Sequence, residues 1–140
     1  MSRADRISPQ EKMPEYYSDF SINMDRNAIT GQMARLTNAD AVKQSIINLV
    51  LTGQKERPYQ PLLGSQVKQS LFDNMDDEIT IDMIKDSITQ CIQNNEVRAK
   101  ILKINVVSDN DNNGYAVEVI FSIINITVPQ VATFFLSRVR

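Results

Sequence analysis

Two prolines three residues apart, Pro58 and Pro61, sit in the stretch Glu56-Arg57-Pro58-Tyr59-Gln60-Pro61-Leu62-Leu63-Gly64. Each fixes its own φ and pushes the residue before it, Arg57 or Gln60, toward extended backbone, so no helix can pass through. Gly53 lies before the stretch and Gly64 and Ser65 after it, the pattern of one helix stopping, a shaped turn, and a second helix starting. A flexible linker would be built of Gly and Ser. Pro58, Tyr59, Pro61, Leu62 and Leu63 instead hold a shape and can pack, so the loop is expected to brace a core or a partner.

On the N-terminal side, residues 1–19 read as an arm, since Met1 to Glu15 are polar, contain Pro9 and Pro14, and show no period. Residues 20–140 form the expected single domain. Phe20, Ile22 and Met24 alternate with polar residues, which predicts a short half-buried strand. Thr37-Asn38-Ala39-Asp40 resembles a helix start, and the helix is expected to run to about Thr52. Its stripe is Val42, Ile46, Leu49 and Val50. Ile47 and Leu51 make a second, offset apolar pair, which suits either a helix buried on two sides or a seam for another protein's helix.

Beyond the connector, Ser65 is placed to cap a short helix carrying Val67, Leu71, Phe72 and Met75. After Asp76-Asp77-Glu78 a third helix is expected from near Thr80, with Ile81, Ile84, Ile88, Cys91 and Ile92 on one face. Cys91 therefore reads as core, with no cation on its stripe to activate it. The period then changes to two. Leu102, Ile104 and Val106 alternate with Lys103 and Asn105. Past Asp109 to Gly114, the residues Tyr115, Val117, Val119, Phe121 and Ile123 make an unbroken apolar face. Pro129 interrupts, and Val131 to Val139 give a last strand or extended arm.

Helices followed by a hairpin argue for an α+β fold, with three helices packed on one face of a small antiparallel sheet. The C-terminal pair is more apolar than a half-solvated sheet requires, and its edge is open for a partner strand.

Composition removes several functions. One hundred and forty residues suit one domain, and 15 basic against 17 acidic side chains leave no field to attract nucleic acid. The absence of histidine removes the commonest general base and zinc ligand, tryptophan is absent too, and the lone Cys91 forms no internal disulfide. No apolar run spans a bilayer and no signal peptide is evident, so synthesis in the cytoplasm without a membrane stage is expected. Asp109-Asn110-Asp111-Asn112-Asn113-Gly114 opens like a calcium loop. Its twelfth position is Ile120, which leaves a hairpin turn with Asn113-Gly114 supplying the positive φ angles. Asn125-Ile126-Thr127 is a chance glycosylation match. The acids Glu56, Glu78, Glu96 and Glu118 sit in unlike contexts, so no catalytic pair, metal or cofactor is expected.

Glu96 stands at the C-terminal end of a helix, where the macrodipole disfavours an anion, so it needs a compensating cation. Arg98 points to the same face, and as a local surface pair the two would contribute only about 0–1 kcal/mol. Arg57, a planar five-donor group, could clamp its own loop's carbonyls, the preferred role, or a partner's carboxylate.

Arg57-Pro58-Tyr59-x-Pro61-x-x-Gly64, followed by Leu71-Phe72-Asp73-Asn74-Met75, resembles the signature of the small baseplate wedge proteins of contractile-tailed phages. That family is also called the sheath initiator and sometimes labelled lysozyme-like. The resemblance runs from about Tyr17 to about Ile124. It implies a structural virion protein, six copies per baseplate, bound to other wedge proteins, to the tail sheath subunit and, as a further candidate, to the tail tube. Glu96-Val97-Arg98 is similar to the family's Glu-Pro-Arg motif at the junction of helix and sheet, which implies contacts between baseplate proteins. Val97 stands in the place of the proline, so the likeness carries over to Glu96 and Arg98 only. The resemblance further implies sheath growth by strand addition along Tyr115 to Val139, with Val117, Val119 and Phe121 on the recruiting strand. Ile47 and Leu51 are then expected against helices of neighbouring wedge proteins. A peptidoglycan-hydrolysing tail enzyme and an intracellular adaptor are the alternatives.

Overall fold

The computed structural model describes residue 14 and residues 16–71 and 78–138. In chain order the elements are β1 (Ser18–Phe20), β2 (Arg35–Thr37), α1 (Ala39–Leu51), α2 (Val67–Ser70), α3 (Glu78–Asn95), β3 (Ala99–Asp109), β4 (Gly114–Ile123) and β5 (Ile126–Ser137). The architecture is α+β: β1 and β2 pair antiparallel, and β3, β4 and β5 form a second antiparallel sheet with β4 in the middle.

The apolar periods decide what is inside. On α1, Val42, Ile46 and Val50 are buried; on α3, Thr80, Ile84, Ile88, Cys91 and Ile92 are. Along β4, Tyr115, Val117, Val119, Phe121 and Ile123 face these helices, while Ala116, Glu118, Ile120 and Ser122 alternate onto the other face. Helix α3 packs on β3 and α1 on β5, so the core is a single layer between helices and sheet. Each such side chain contributes roughly 1.5–3 kcal/mol when fully buried. Ser65 joins the two halves: its hydroxyl donates to Val50 O at 2.6 Å and accepts from Val67 N–H at 3.4 Å, linking the end of α1 to the start of α2.

Several expectations change. The strand expected over Phe20 to Met24 ends at Phe20, and Ser18 and Asp19, expected in the arm, belong to β1. The chain turns at Ile22 because Gln44 takes its N–H, and Phe20, Ile22 and Met24 remain exposed with no element packed over them. Helix α2 is four residues long, and Phe72 and Met75 lie outside the described residues. Leu102 is exposed because a bulge between Ile101 and Lys103 shifts the register, so Ile101 and Ile104 take the inner face. Pro129 does not end the strand, since β5 runs through it as an edge strand allows, but it does interrupt the ladder: residues 127–129 lie in the register shift between Phe121 and Ile123. In the β3–β4 hairpin Asn113 supplies the positive φ of 57°, whereas Gly114 serves close approach, since an added Cβ would stand 2.3 Å from Leu136 O.

Candidate partner-binding site

Helix α3 stops at Asn95, whose Nδ2 donates back to Cys91 O at 2.8 Å, and Ala99 N–H closes the turn on Glu96 O at 3.2 Å. The turn makes the stop without a proline at Val97. It delivers Arg98 onto Glu96: Nε meets Oε1 and Nη2 meets Oε2, both at 2.6 Å, while Ser45 Oγ of α1 donates to Oε2 at 2.5 Å. Glu96 is 3% exposed, which corrects the expectation of a surface pair. Burial by itself would raise the carboxyl, but the hydrogen bonds from Arg98 and Ser45 hold it below the ordinary carboxylate range. The Arg98 side chain remains 34% exposed, and its guanidinium carbon lies 5.3 Å from the Tyr17 ring centroid.

The segment that brings Tyr17 there is fastened to α1. Asn38, at φ 49°, accepts Tyr16 N–H through Oδ1 at 2.9 Å and donates from Nδ2 to Pro14 O at 3.2 Å. Gln44 donates to Phe20 O at 2.8 Å and accepts from Ile22 N–H at 2.9 Å. Tyr17 Oη accepts from Asn125 in the β4–β5 turn, and Ile124 N–H in that turn donates to Arg98 O. The result is a rigid corner where strand β1, α1, the end of α3 and the β4–β5 turn meet around one ion pair. Ser45, Tyr17, Asn38 and Gln44 had no signal in the periodicity of the chain. They are polar residues whose partners lie far away in sequence.

The other expected residues fall elsewhere. Val117, Val119 and Phe121 are buried in the core, and β4 is paired on both sides, so none of them can offer an edge to another chain. That expectation is corrected: the free edges belong to β3 and β5. They differ. Strand β3 carries Lys100, Lys103 and the bulge at Leu102, features that discourage pairing; β5 has Pro129 and a register shift of its own near its start, but its residues 130–137 hold no charge, no proline and no irregularity. Ile47 is half-buried and Leu51 exposed, and Leu51 lines a mainly apolar groove of about 280 Å³ with Val50, Val67, Leu71 and Leu136. The Arg57 side chain is exposed and makes no hydrogen bond or ion pair among the described residues, so the expected clamp on its own loop is absent.

The remaining acids are dispersed. Glu56 accepts Gly53 N–H at 3.0 Å and pairs with Lys68, Glu118 accepts from Asn105 at 2.7 Å, and Glu78 is exposed in the first turn of α3. Asp109 is committed to the N–H and side chain of Asn112, which holds its carboxyl below the ordinary range. Among the described residues no group of acidic and cysteine side chains has the arrangement of a metal site.

Comparison with known proteins bears on this arrangement. The family described as baseplate wedge protein gp25 matches residues 37–127, from the end of β2 to the start of β5. The baseplate wedge protein gp25 of Enterobacteria phage T4 is 30% identical over 111 residues, which is 78% of this chain and 81% of that one. A Geobacter sulfurreducens structure described as a tail lysozyme shares the fold at TM-score 0.62 and 17% identity, covering 75% of this chain and 97% of that one. A chain in the anti-feeding prophage baseplate shares it at TM-score 0.58 and 18% identity, covering 89% and 87%.

Proposed function

This chain belongs to the gp25 family of baseplate wedge proteins, and from that membership we propose that it is a structural, non-enzymatic part of a contractile-tail baseplate that starts the sheath by strand addition. The observation that carries the strand-addition step is the contrast between the two edges of the main sheet. Past Pro129 and the register shift at its start, residues 130–137 of β5 end the sheet with an uncharged, regular margin, while β3 is guarded by lysines and a bulge along its length. A sheath subunit extends β5: main-chain hydrogen bonds provide affinity, and alternate side chains provide specificity.

The corner around Glu96 and Arg98 faces other wedge proteins. Its ion pair fixes the angle between helix and sheet, and the exposed part of Arg98 and its neighbours contact the partner. Ile47 and Leu51 meet a neighbouring helix along α1. Six copies surround the tube, each made in the host cytoplasm as an N-terminal arm followed by one domain, and none uses a cofactor. The hydrolase alternative lacks support from the four glutamates: Glu56, Glu96 and Glu118 are engaged in separate places, and Glu78 stands exposed on α3.

The decisive experiment combines purified protein, sheath subunit and tail tubes capped by baseplates that lack this chain, viewed by electron microscopy. Sheath growing only when the protein is added is the expected result. Equal growth without it would remove the initiator role.

A further inference from the structure

The loop from Gly53 to Ser65 is closed at its base and bare at its tip. At the base, Gly53 and Ser65 form a parallel bridge, with Gln54 N–H donating to Ser65 O at 3.1 Å and Ser65 N–H to Thr52 O at 2.9 Å. Higher up, Lys55 N–H donates to Pro61 O at 2.9 Å, Gln60 N–H to Arg57 O at 3.2 Å, and Leu63 N–H to Gln60 O at 3.1 Å. Glu56 braces the side through Gly53 N–H and Lys68. Gly64, at φ 111°, permits the strands of the base to touch, since a Cβ there would stand 2.4 Å from Thr52 O.

At the tip, Tyr59 is 98% exposed and Leu62 is 82% exposed. One exposed leucine is ordinary on a protein surface. An almost fully solvated aromatic beside a solvated leucine, on a loop this heavily stitched, is different. Holding them there gives nothing to the folding of the chain itself, because neither packs on the core. For a partner it is worth a great deal: the ordering cost of the backbone that presents these side chains is already met before contact, and Tyr and Arg are, with Trp, the residue types enriched among those that dominate binding energy.

Charge narrows the partner. Arg57 and Lys55 are exposed and their side chains have no hydrogen-bond or ionic partner among the described residues, while Glu56, the carboxylate between them, is neutralised by Lys68. The tip is therefore cationic around an apolar point. Two free cations on a chain of net charge −2 are too few to hold a phosphate backbone, and the convex shape calls for a cavity. We propose that the loop is a docking knob, Tyr59 and Leu62 entering an apolar pocket on another baseplate protein whose rim carries carboxylates opposite Arg57 and Lys55. It rests on the baseplate reading above, and it adds an attachment point separate from both the Glu96 corner and the β5 edge.

The test is competition for a place in the baseplate. Full-length wild-type protein and a Tyr59→Ser/Leu62→Ser variant, distinguished by mass tags, are mixed in equal amounts with isolated baseplates lacking this chain, and the bound ratio is measured. Wild type is expected to win by at least tenfold, with the variant's melting temperature unchanged because both side chains are in solvent. Arg57→Glu is expected to lose as well, and Arg57→Gln to make incorporation less sensitive to salt. Equal incorporation of the double variant overturns the knob while leaving the baseplate reading in place. Failure of the wild-type protein to incorporate at all overturns both. Incorporation indifferent to Arg57→Glu overturns the acidic rim.

Discussion

Arg98 grips both oxygens of Glu96, Nε on one and Nη2 on the other at 2.6 Å each, across a single intervening residue. A pair this local is usually an exposed one, yet the carboxylate here is buried and takes a third hydrogen bond from Ser45, 51 residues earlier. The local pair thus becomes the hub of a long-range corner.

Removing the cation should be costly. Arg98→Ala leaves the Glu96 carboxylate buried with only Ser45 to balance it, and a loss of about 2–4 kcal/mol is expected, somewhat below that for a wholly enclosed pair because Arg98 is partly solvated. Urea denaturation of the two proteins measures it. A difference under about 0.5 kcal/mol would mean that the pair behaves as a surface one.

Acid should undo the same interaction. The carboxyl of Glu96 is lowered in the folded chain from an ordinary value of 4.5, so its contribution is complete above that value and drains away as pH falls through the lower, folded one. Glu56 and Asp109 are lowered too, so the informative quantity is a difference. Between about pH 6 and pH 3 the melting temperature of wild type should fall more steeply than that of Glu96→Gln. Parallel curves would contradict the assignment.

Two glycines should respond unequally. At Gly64 a methyl group meets Thr52 O at 2.4 Å and the φ of 111° suits no other residue, so Gly64→Ala should cost about 3 kcal/mol or more. Gly31, at φ 67°, has open space around it, and Gly31→Ala should cost only about 1 kcal/mol. Similar losses at both would show that strain, not contact, governs Gly64.

Prolines can separate the two sides of β5. Successive N–H groups point in opposite directions, so of Gln130→Pro and Val131→Pro one breaks the ladder to β4 and the other alters only the free margin. The variant that keeps wild-type stability is expected to abolish sheath growth. Normal growth with that variant would contradict strand addition at this edge.

Cys91 should be silent. Burial raises its thiol above the ordinary range, and its sulfur lies 3.6 Å from Leu49 O inside the helix pair. Reaction with an aromatic disulfide reagent should therefore track unfolding and be complete only in denaturant. Rapid modification of the native protein would show that α1 and α3 separate readily.

Much of the fold was legible in the chain, and the failures have physical causes. Val42, Ile46 and Val50, the Ile84–Ile88–Ile92 stripe, and the alternation from Tyr115 to Ile123 each repeat with the period of their element, and burial follows it. The same alternation at Phe20, Ile22 and Met24 has no covering layer, a fact that depends on what packs where and not on the residues themselves. The bulge at Leu102 adds one residue to one strand and leaves no mark in the pattern. The richest apolar face predicts a recruiting edge. It marks the central strand β4, which is buried by helices and paired on both sides, whereas the available edge lies on its less regular neighbour. For the site, Glu96 and Arg98 were visible as charge logic at a helix end, but Ser45 and Tyr17, which turn a surface pair into a buried one, reach it only through the tertiary fold.

A sheet with one bare margin and one guarded margin resembles a primer with a single extensible end. A head-to-tail ribbon of copies of this chain is disfavoured, because every link needs a receptive margin on both sides of this sheet, and β3 offers lysines and a kink instead. Within this sheet, pairing of β5 with β5 of a second copy is a two-fold closure that ends at two copies. In the proposed strand addition, elongation past that limit falls to a different polypeptide and proceeds from each protomer in one direction.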